Sequence, residues 1–163
     1  MTSSKGVRSP VERRSRKRKR ALVIDGDMLA RIETRLLLEM QGYQVEEVSD
    51  GIEAIGLMDL DSPTLDLVVL DYEMPLLDGM ETLQALRALS PELKAVLCLK
   101  GDERPREDPQ EGMAFVRKPL TMQSLTDGMN MACGIRPEPP APRRIAHSHW
   151  MKVHARPPRH LSR

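Results

Sequence analysis

No apolar run in the 163 residues approaches the ~18 consecutive apolar side chains of a membrane-spanning helix. The basic N-terminus does lead into Ala21-Leu22-Val23-Ile24, but Asp25 closes that run too early for a signal peptide. Cysteine is scarce. Cys98 and Cys133 stand far apart, without the CxxC or Cys/His spacing of a zinc site, and read as free thiols of a reducing cytosol. Aromatic residues make up only 2% of the chain, and none is interleaved among the N-terminal basic residues to stack on bases. These absences predict a soluble, cytoplasmic protein without a structural metal and without base-reading chemistry in its basic arm.

What the chain does have is segregated charge. Residues 1–20 carry nine Lys/Arg against one Glu, residues 21–134 nine basic against 22 acidic, and residues 135–163 seven basic against one acidic. The length suffices for one ordinary domain with tails. The expected organisation is a basic disordered arm over 1–20, an acidic folded domain over 21–134, and a basic disordered tail over 135–163. Seven of the eight residues from Arg13 to Arg20 are basic, a block that repels itself and favours polyanions without sequence preference. The tail is rich in proline and holds all four histidines. His147 and His149, two ligands on a flexible segment, make a poor metal site.

Within the acidic segment, hydrophobic period alternates between strand and helix. Ala21–Ile24 reads as a strand. Met28, Leu29, Ile32, Leu36 and Met40 follow helical spacing, with Leu37 widening the stripe and Gly42 ending the helix in the left-handed position. Tyr43, Val45 and Val48 suggest an edge-like second strand. Asp50 and Glu53 outline a capping box for a second helix, whose inner face is Ile52, Ile55, Leu57 and Met58. Met80, Leu83, Leu86 and Leu89 give a third helix closed before Pro91. Strands follow at Ala95–Leu99 and Met113–Val116, then a last helix over Leu120, Leu125 and Met129. This alternation predicts an α/β fold with a doubly wound, five-stranded parallel sheet. One interval breaks the pattern. Residues 102–111 have no strongly apolar side chain and two prolines, so a helix there has no face to bury.

The stretch Leu65–Gly79 organises the rest. Leu67-Val68-Val69-Leu70 is a short, wholly apolar run, the mark of a strand covered on both faces. Asp71 follows at its carboxyl end, where open α/β sheets place their chemistry. Met74-Pro75 and Asp78-Gly79 then mark a turn before helical periodicity resumes. The blander role for Asp71 is to cap the next helix.

Apolar strand, Asp71, two residues, Met74-Pro75 and Asp78-Gly79 together resemble the phosphoacceptor segment of two-component receiver domains. Val23-Ile24-Asp25-Gly26-Asp27 resembles the acidic cluster after that family's first strand, and Phe115-Val116-Arg117-Lys118-Pro119 its terminal aromatic-x-x-Lys-Pro motif. The resemblance covers about residues 20 to 133. It implies a flavodoxin-like receiver fold, here with a degenerate fourth helix, and a phosphorelay role in a two-component system. Asp71 would be the phosphoacceptor and Lys118 the lysine that meets a phosphoryl oxygen. Mg²⁺ would be bound by Asp25, Asp71 and the main-chain carbonyl of Glu73. A histidine kinase or phosphotransfer protein would be the partner.

The chain departs from the family pattern at two functional places. Gly26 stands where a second acid is usual, so Mg²⁺ binding is expected to be weak, with Asp27 a substitute ligand only if its loop turns it inward, and equally placed to be the N-cap of the first helix. Leu99 matches the usual hydroxyl switch residue, with Cys98 and Lys100 beside it, and neither Leu nor Lys offers a hydroxyl. Two further readings stand beside the phosphoacceptor. One is a pseudo-receiver, the same fold used as a binding module. The other is an enzyme, since Asp25-Gly26-Asp27 also resembles the Asp-x-Asp motif of haloacid-dehalogenase-type phosphatases. The enzyme reading leaves the Met-Pro and Lys-Pro segments unexplained, so a non-enzymatic signalling module is expected.

Overall fold

A computed structural model describes residues 18–61 and 64–135. The elements run β1 (Arg20–Ile24), α1 (Met28–Met40), β2 (Gln44–Val48), α2 (Gly51–Asp61), β3 (Leu67–Asp71), α3 (Gly79–Leu89), β4 (Lys94–Leu99), β5 (Met113–Arg117) and α4 (Met122–Ala132). The strands form one parallel sheet in the order β2-β1-β3-β4-β5. Placing β3 at the centre agrees with its sequence: all five residues of Leu67–Asp71 are buried.

Alternation along the strands builds a core on each face of the sheet. Leu22, Ile24, Val68, Leu70, Ala95 and Leu97 pack with Ala54 and Met58 of α2 and Leu83 and Leu86 of α3. Ala21, Val23, Leu67, Val69, Val96 and Cys98 pack with Leu38 of α1 and Leu125 and Met129 of α4. This is the doubly wound arrangement expected from the alternation of strand and helix.

The local signals hold at most helix ends. Gly42 has a φ of 87° after α1. At α2, Asp50 Oδ1 accepts the Glu53 N–H at 2.9 Å, but the Glu53 carboxylate reciprocates on Ser49 N–H at 2.9 Å, one residue earlier than a capping box. At α3 the reciprocal pair is complete between Asp78 and Glu81. The 102–111 interval contains no helix, as its lack of an apolar face predicts. Pro63, the arm through residue 17, and the tail beyond Ile135 with His147 and His149 lie outside the described residues.

Two inner faces require correction. The α1 residues that are buried are Thr34 and Leu38, whereas Met28, Leu29, Leu36 and Met40 of the apolar stripe are exposed. Hydrophobic residues surround more of this helix than one contact face can cover, and the face carrying Leu38 docks on the sheet. In α2 only Ile52 departs, being exposed; Met58 is buried and Ile55 and Leu57 pack against the core as expected, with Ala54 added to the face.

Candidate functional site

Strand parity decides which side chains meet at the carboxyl edge of the sheet. Asp25 continues the alternation of Ala21 and Val23, Asp71 that of Leu67 and Val69, Lys100 that of Val96 and Cys98, and Lys118 that of Val116. All four therefore emerge on the face shared with α1 and α4. Asp71 ends β3 in register with Cys98 of β4 and is 2% exposed; Asp25, directly after β1, is 4% exposed.

These two buried carboxylates are held by two ammonium groups. Lys118 Nζ lies 3.3 Å from Asp71 Oδ1 and also pairs with Asp25 Oδ2. Lys100 Nζ meets the other oxygen, Asp71 Oδ2, at 2.5 Å. Asp25 Oδ1 accepts the Asp27 N–H at 2.8 Å, and its main-chain carbonyl accepts from Arg31 at 2.6 Å. Asp71 Oδ1 is buried and accepts no hydrogen bond, so its link to Lys118 is purely electrostatic. The Lys118–Pro119 peptide is cis.

Asp71, Asp25 and Lys118 are thus brought together as the sequence motifs predict. Asp27 is not part of the group. Its Oδ1 accepts the N–H groups of Leu29 at 2.9 Å and Ala30 at 3.4 Å, capping α1, and its side chain is on the surface. The orphan amides of a helix start have captured it. Glu73 lies exposed in the loop after β3. A side-chain hydrogen bond with Glu103 raises its carboxyl pKa, reinforced by the like charge and opposed by Arg106 and Lys100.

Lys100 is the contact of Asp71 that the sequence motifs do not mark. The sequence marks it only as unable to replace a hydroxyl, yet its ammonium, rooted just after β4, touches Asp71. The available signal was its position: first after the strand, and two residues beyond inward-facing Cys98. Its hydrogen bond to Asp71 raises its pKa, against a smaller opposing effect of burial. Its own N–H donates to Glu103 Oε2 at 2.6 Å, which fixes the root of the side chain. Leu99 faces the other way, buried in the α2/α3 core that Phe115 packs against.

Tyr72, next to Asp71, bridges to both Phe115 and the helix-free segment. Its ring meets Phe115 edge-on, with centroids 5.8 Å apart. Its hydroxyl accepts the Arg106 N–H at 2.8 Å, tying the 102–112 segment to the site. Gly79 closes the loop after Asp71: its N–H donates to the Tyr72 carbonyl at 2.8 Å, and a Cβ there would sit 2.5 Å from the Asp71 carbonyl oxygen.

No three His, Cys, Asp or Glu side chains converge as a metal cluster among the described residues. The oxygen donors are two carboxylates, Asp25 and Asp71. That suffices for Mg²⁺, which binds through one or two carboxylates with waters and phosphate oxygens. The donor set fits such an ion: both carboxylates are buried at one edge of the sheet, and Asp71 Oδ2 is met there by the half-exposed Lys100 ammonium. Gly26 contributes nothing, although a Cβ on it would meet only Ser49 O at 4.0 Å.

The family model for the response regulator receiver domain matches residues 21–130. The response regulator MprA of Mycobacterium avium is 39% identical over 109 residues, covering 65% of this chain and 47% of that protein. The CAI-1 autoinducer sensor kinase/phosphatase CqsS of Vibrio cholerae serotype O1 is 37% identical over 95 residues, which are 57% of this chain and 14% of the kinase. The chain thus spans less than half the length of these curated relatives. Among solved structures, the receiver domain of the hybrid histidine kinase CckA superposes with a TM-score of 0.58 at 26% identity, covering 69% of this chain and 97% of that one. The Vibrio cholerae chemotaxis protein CheY4 shares the fold with a TM-score of 0.61 at 20% identity, over 71% of this chain and 99% of that one.

Proposed function

Because the chain belongs to the response regulator receiver domain family, we propose that it accepts a phosphoryl group on Asp71 in a phosphorelay and signals by protein contact. Receiver domains are in general signalling modules that interact with histidine kinases or phosphotransfer proteins. The observation that carries the reading is Lys118 Nζ, set between the buried carboxylates of Asp25 and Asp71 at the carboxyl edge of the central strand.

Asp71 Oδ1 is the nucleophile. It attacks the donor phosphorus, the bond from phosphorus to the donor breaks, the electron pair leaves with the donor, and an acyl phosphate forms. Lys118 offers its ammonium to a phosphoryl oxygen as charge accumulates there. Burial keeps water from the carboxylate, and Gly79 keeps the loop close beneath the acceptor. The family generally binds Mg²⁺ at this pocket. Here Asp25, Asp71 and the main-chain carbonyl of Glu73 would hold it, without Asp27. When bound, the ion offsets the negative charge of the phosphoryl oxygens.

The exposed α1 side chains Met28, Leu29, Leu36 and Met40 offer an apolar surface to a cytoplasmic partner kinase or phosphotransfer protein. The basic arm would add non-specific contact with polyanions. A second reading, a binding module with little phosphorylation, is favoured by one observation: Lys100 already neutralises the acceptor. The test is incubation with acetyl phosphate and Mg²⁺. Label in the wild type and none in Asp71→Asn supports the acceptor; equal label in both refutes it.

A further inference from the structure

We propose that Lys100 is a built-in counter-ion of the acceptor that competes with the divalent cation for Asp71. The inference rests on the reading of Asp25 and Asp71 as the ion's carboxylates. It adds a residue whose effect opposes theirs.

The charges make the case. The pocket holds two carboxylates, Asp25 and Asp71, against two ammonium groups, Lys100 and Lys118. Its formal charge is zero, so a divalent cation gains little from entering. Lys100 Nζ sits 2.5 Å from Asp71 Oδ2, the oxygen that Lys118 leaves free. A divalent cation on that oxygen and the ammonium group would lie within a few ångströms of each other, and their like charges repel. The missing carboxylate at Gly26 acts in the same direction, removing a charge that would favour the ion.

Lys100 is built to be displaced rather than to lock the site. Lys118 is held among buried groups with its side chain 15% exposed, whereas the Lys100 side chain is 52% exposed. Glu103 fixes only its main chain, through the 2.6 Å hydrogen bond to the Lys100 N–H. The flexible four-carbon stem can swing the ammonium into water at small cost. Lys100 also borders the cavity of about 450 Å³ between α1 and the Lys118-Pro119-Leu120 turn, which gives the displaced side chain room. Mg²⁺ binding is therefore an exchange of one cation for another, and the wild-type affinity is weaker than the carboxylates alone would confer.

The experiment is a Mg²⁺ titration of the full chain by calorimetry, with backbone amide shifts of Asp25, Asp71 and Tyr72 reporting where the ion goes. Wild type is compared with Lys100→Met, with Lys100→Gln as a second neutral variant, and with the double variant Lys100→Met/Asp71→Asn. Loss of Lys100 should tighten Mg²⁺ binding about tenfold, a scale consistent with removing one neighbouring charge, and the double variant should lose the gain. Unchanged or weaker affinity in both neutral variants, with the pocket amides still shifting, overturns the competition while leaving the pocket as the ion's site. If no pocket amide shifts in any variant, the ion reading itself fails, and the competition with it. Labelling of Asp71 by acetyl phosphate is read separately, so that the acceptor role stands or falls on its own.

Discussion

The hydroxyl of Tyr72 accepts the main-chain N–H of Arg106 at 2.8 Å, joining the residue after Asp71 to the middle of the helix-free segment between β4 and β5. With no apolar stripe to fold it, that segment depends on such single bonds for its place. Tyr72→Phe keeps the edge-on contact with Phe115 and removes only the hydroxyl. The expected loss is about 1 kcal/mol, the usual worth of one such bond, measured by urea unfolding. Amide exchange should quicken in 102–112 and remain slow in the five strands. Uniform exchange changes, or none, would show that the hydroxyl does not hold this loop.

Gly26→Asp should tighten Mg²⁺ binding by restoring a carboxylate beside Asp25. The position accepts it: φ lies outside the left-handed range, and the nearest atom to a Cβ is Ser49 O at 4.0 Å. Without metal the added charge should slightly destabilise the domain. Calorimetric titration of a variant with unchanged circular dichroism checks both. Unchanged affinity would mean that the loop aims this position away from the ion.

Gly79→Ala tests the packing beneath Asp71. The added methyl would lie 2.5 Å from the Asp71 carbonyl oxygen and 3.0 Å from Tyr72 Cα, both backbone atoms that cannot rotate away. A cost of roughly 1–3 kcal/mol is expected from overpacking. A variant as stable as wild type in denaturant would contradict the close approach of α3 to β3.

The two cysteines should separate cleanly. Cys133 is exposed, while burial pushes the Cys98 thiol up to about 12, with Asp71 and Asp25 adding to the rise and Lys118 opposing it. Iodoacetamide at mildly alkaline pH should alkylate Cys133 alone, and Cys98 only after unfolding. The linkage has a definite sign. The folded state keeps the Cys98 proton where the unfolded chain has lost it, so Cys98 lowers stability as pH climbs from the ordinary thiol range toward about 12. Rapid native alkylation of Cys98 would contradict the core on the α1/α4 face.

Much of this was legible because one-dimensional periodicity maps onto a sheet covered on both faces. The continuous run Leu67–Leu70 had to be central, and Asp71 had to emerge at its end. Asp25 and Lys118 were marked by the resemblance of their motifs to the receiver family, and the polar 102–111 interval left a helix there no face to bury. What escaped the sequence depends on orientation rather than period. Asp27 had two roles open, and the amides of Leu29 and Ala30 took it. The α1 stripe was wider than one contact face, so the choice of Leu38 over Leu36 and Met40 was made by docking. Lys100 was readable as a position but not as a partner, since only the three-dimensional register brings its ammonium to an aspartate 29 residues away.

The central claim is that Asp71 is the phosphoacceptor. The most direct measurement is tandem mass spectrometry of the full chain after incubation with acetyl phosphate and Mg²⁺, with the acyl phosphate preserved at low temperature through digestion. The account predicts phosphate on the peptide containing Asp71, fragment ions placing it on that residue, and its disappearance in Asp71→Asn. Phosphate on another carboxylate such as Asp25, or an unmodified Asp71 under conditions that label a reference receiver domain in the same tube, would contradict it.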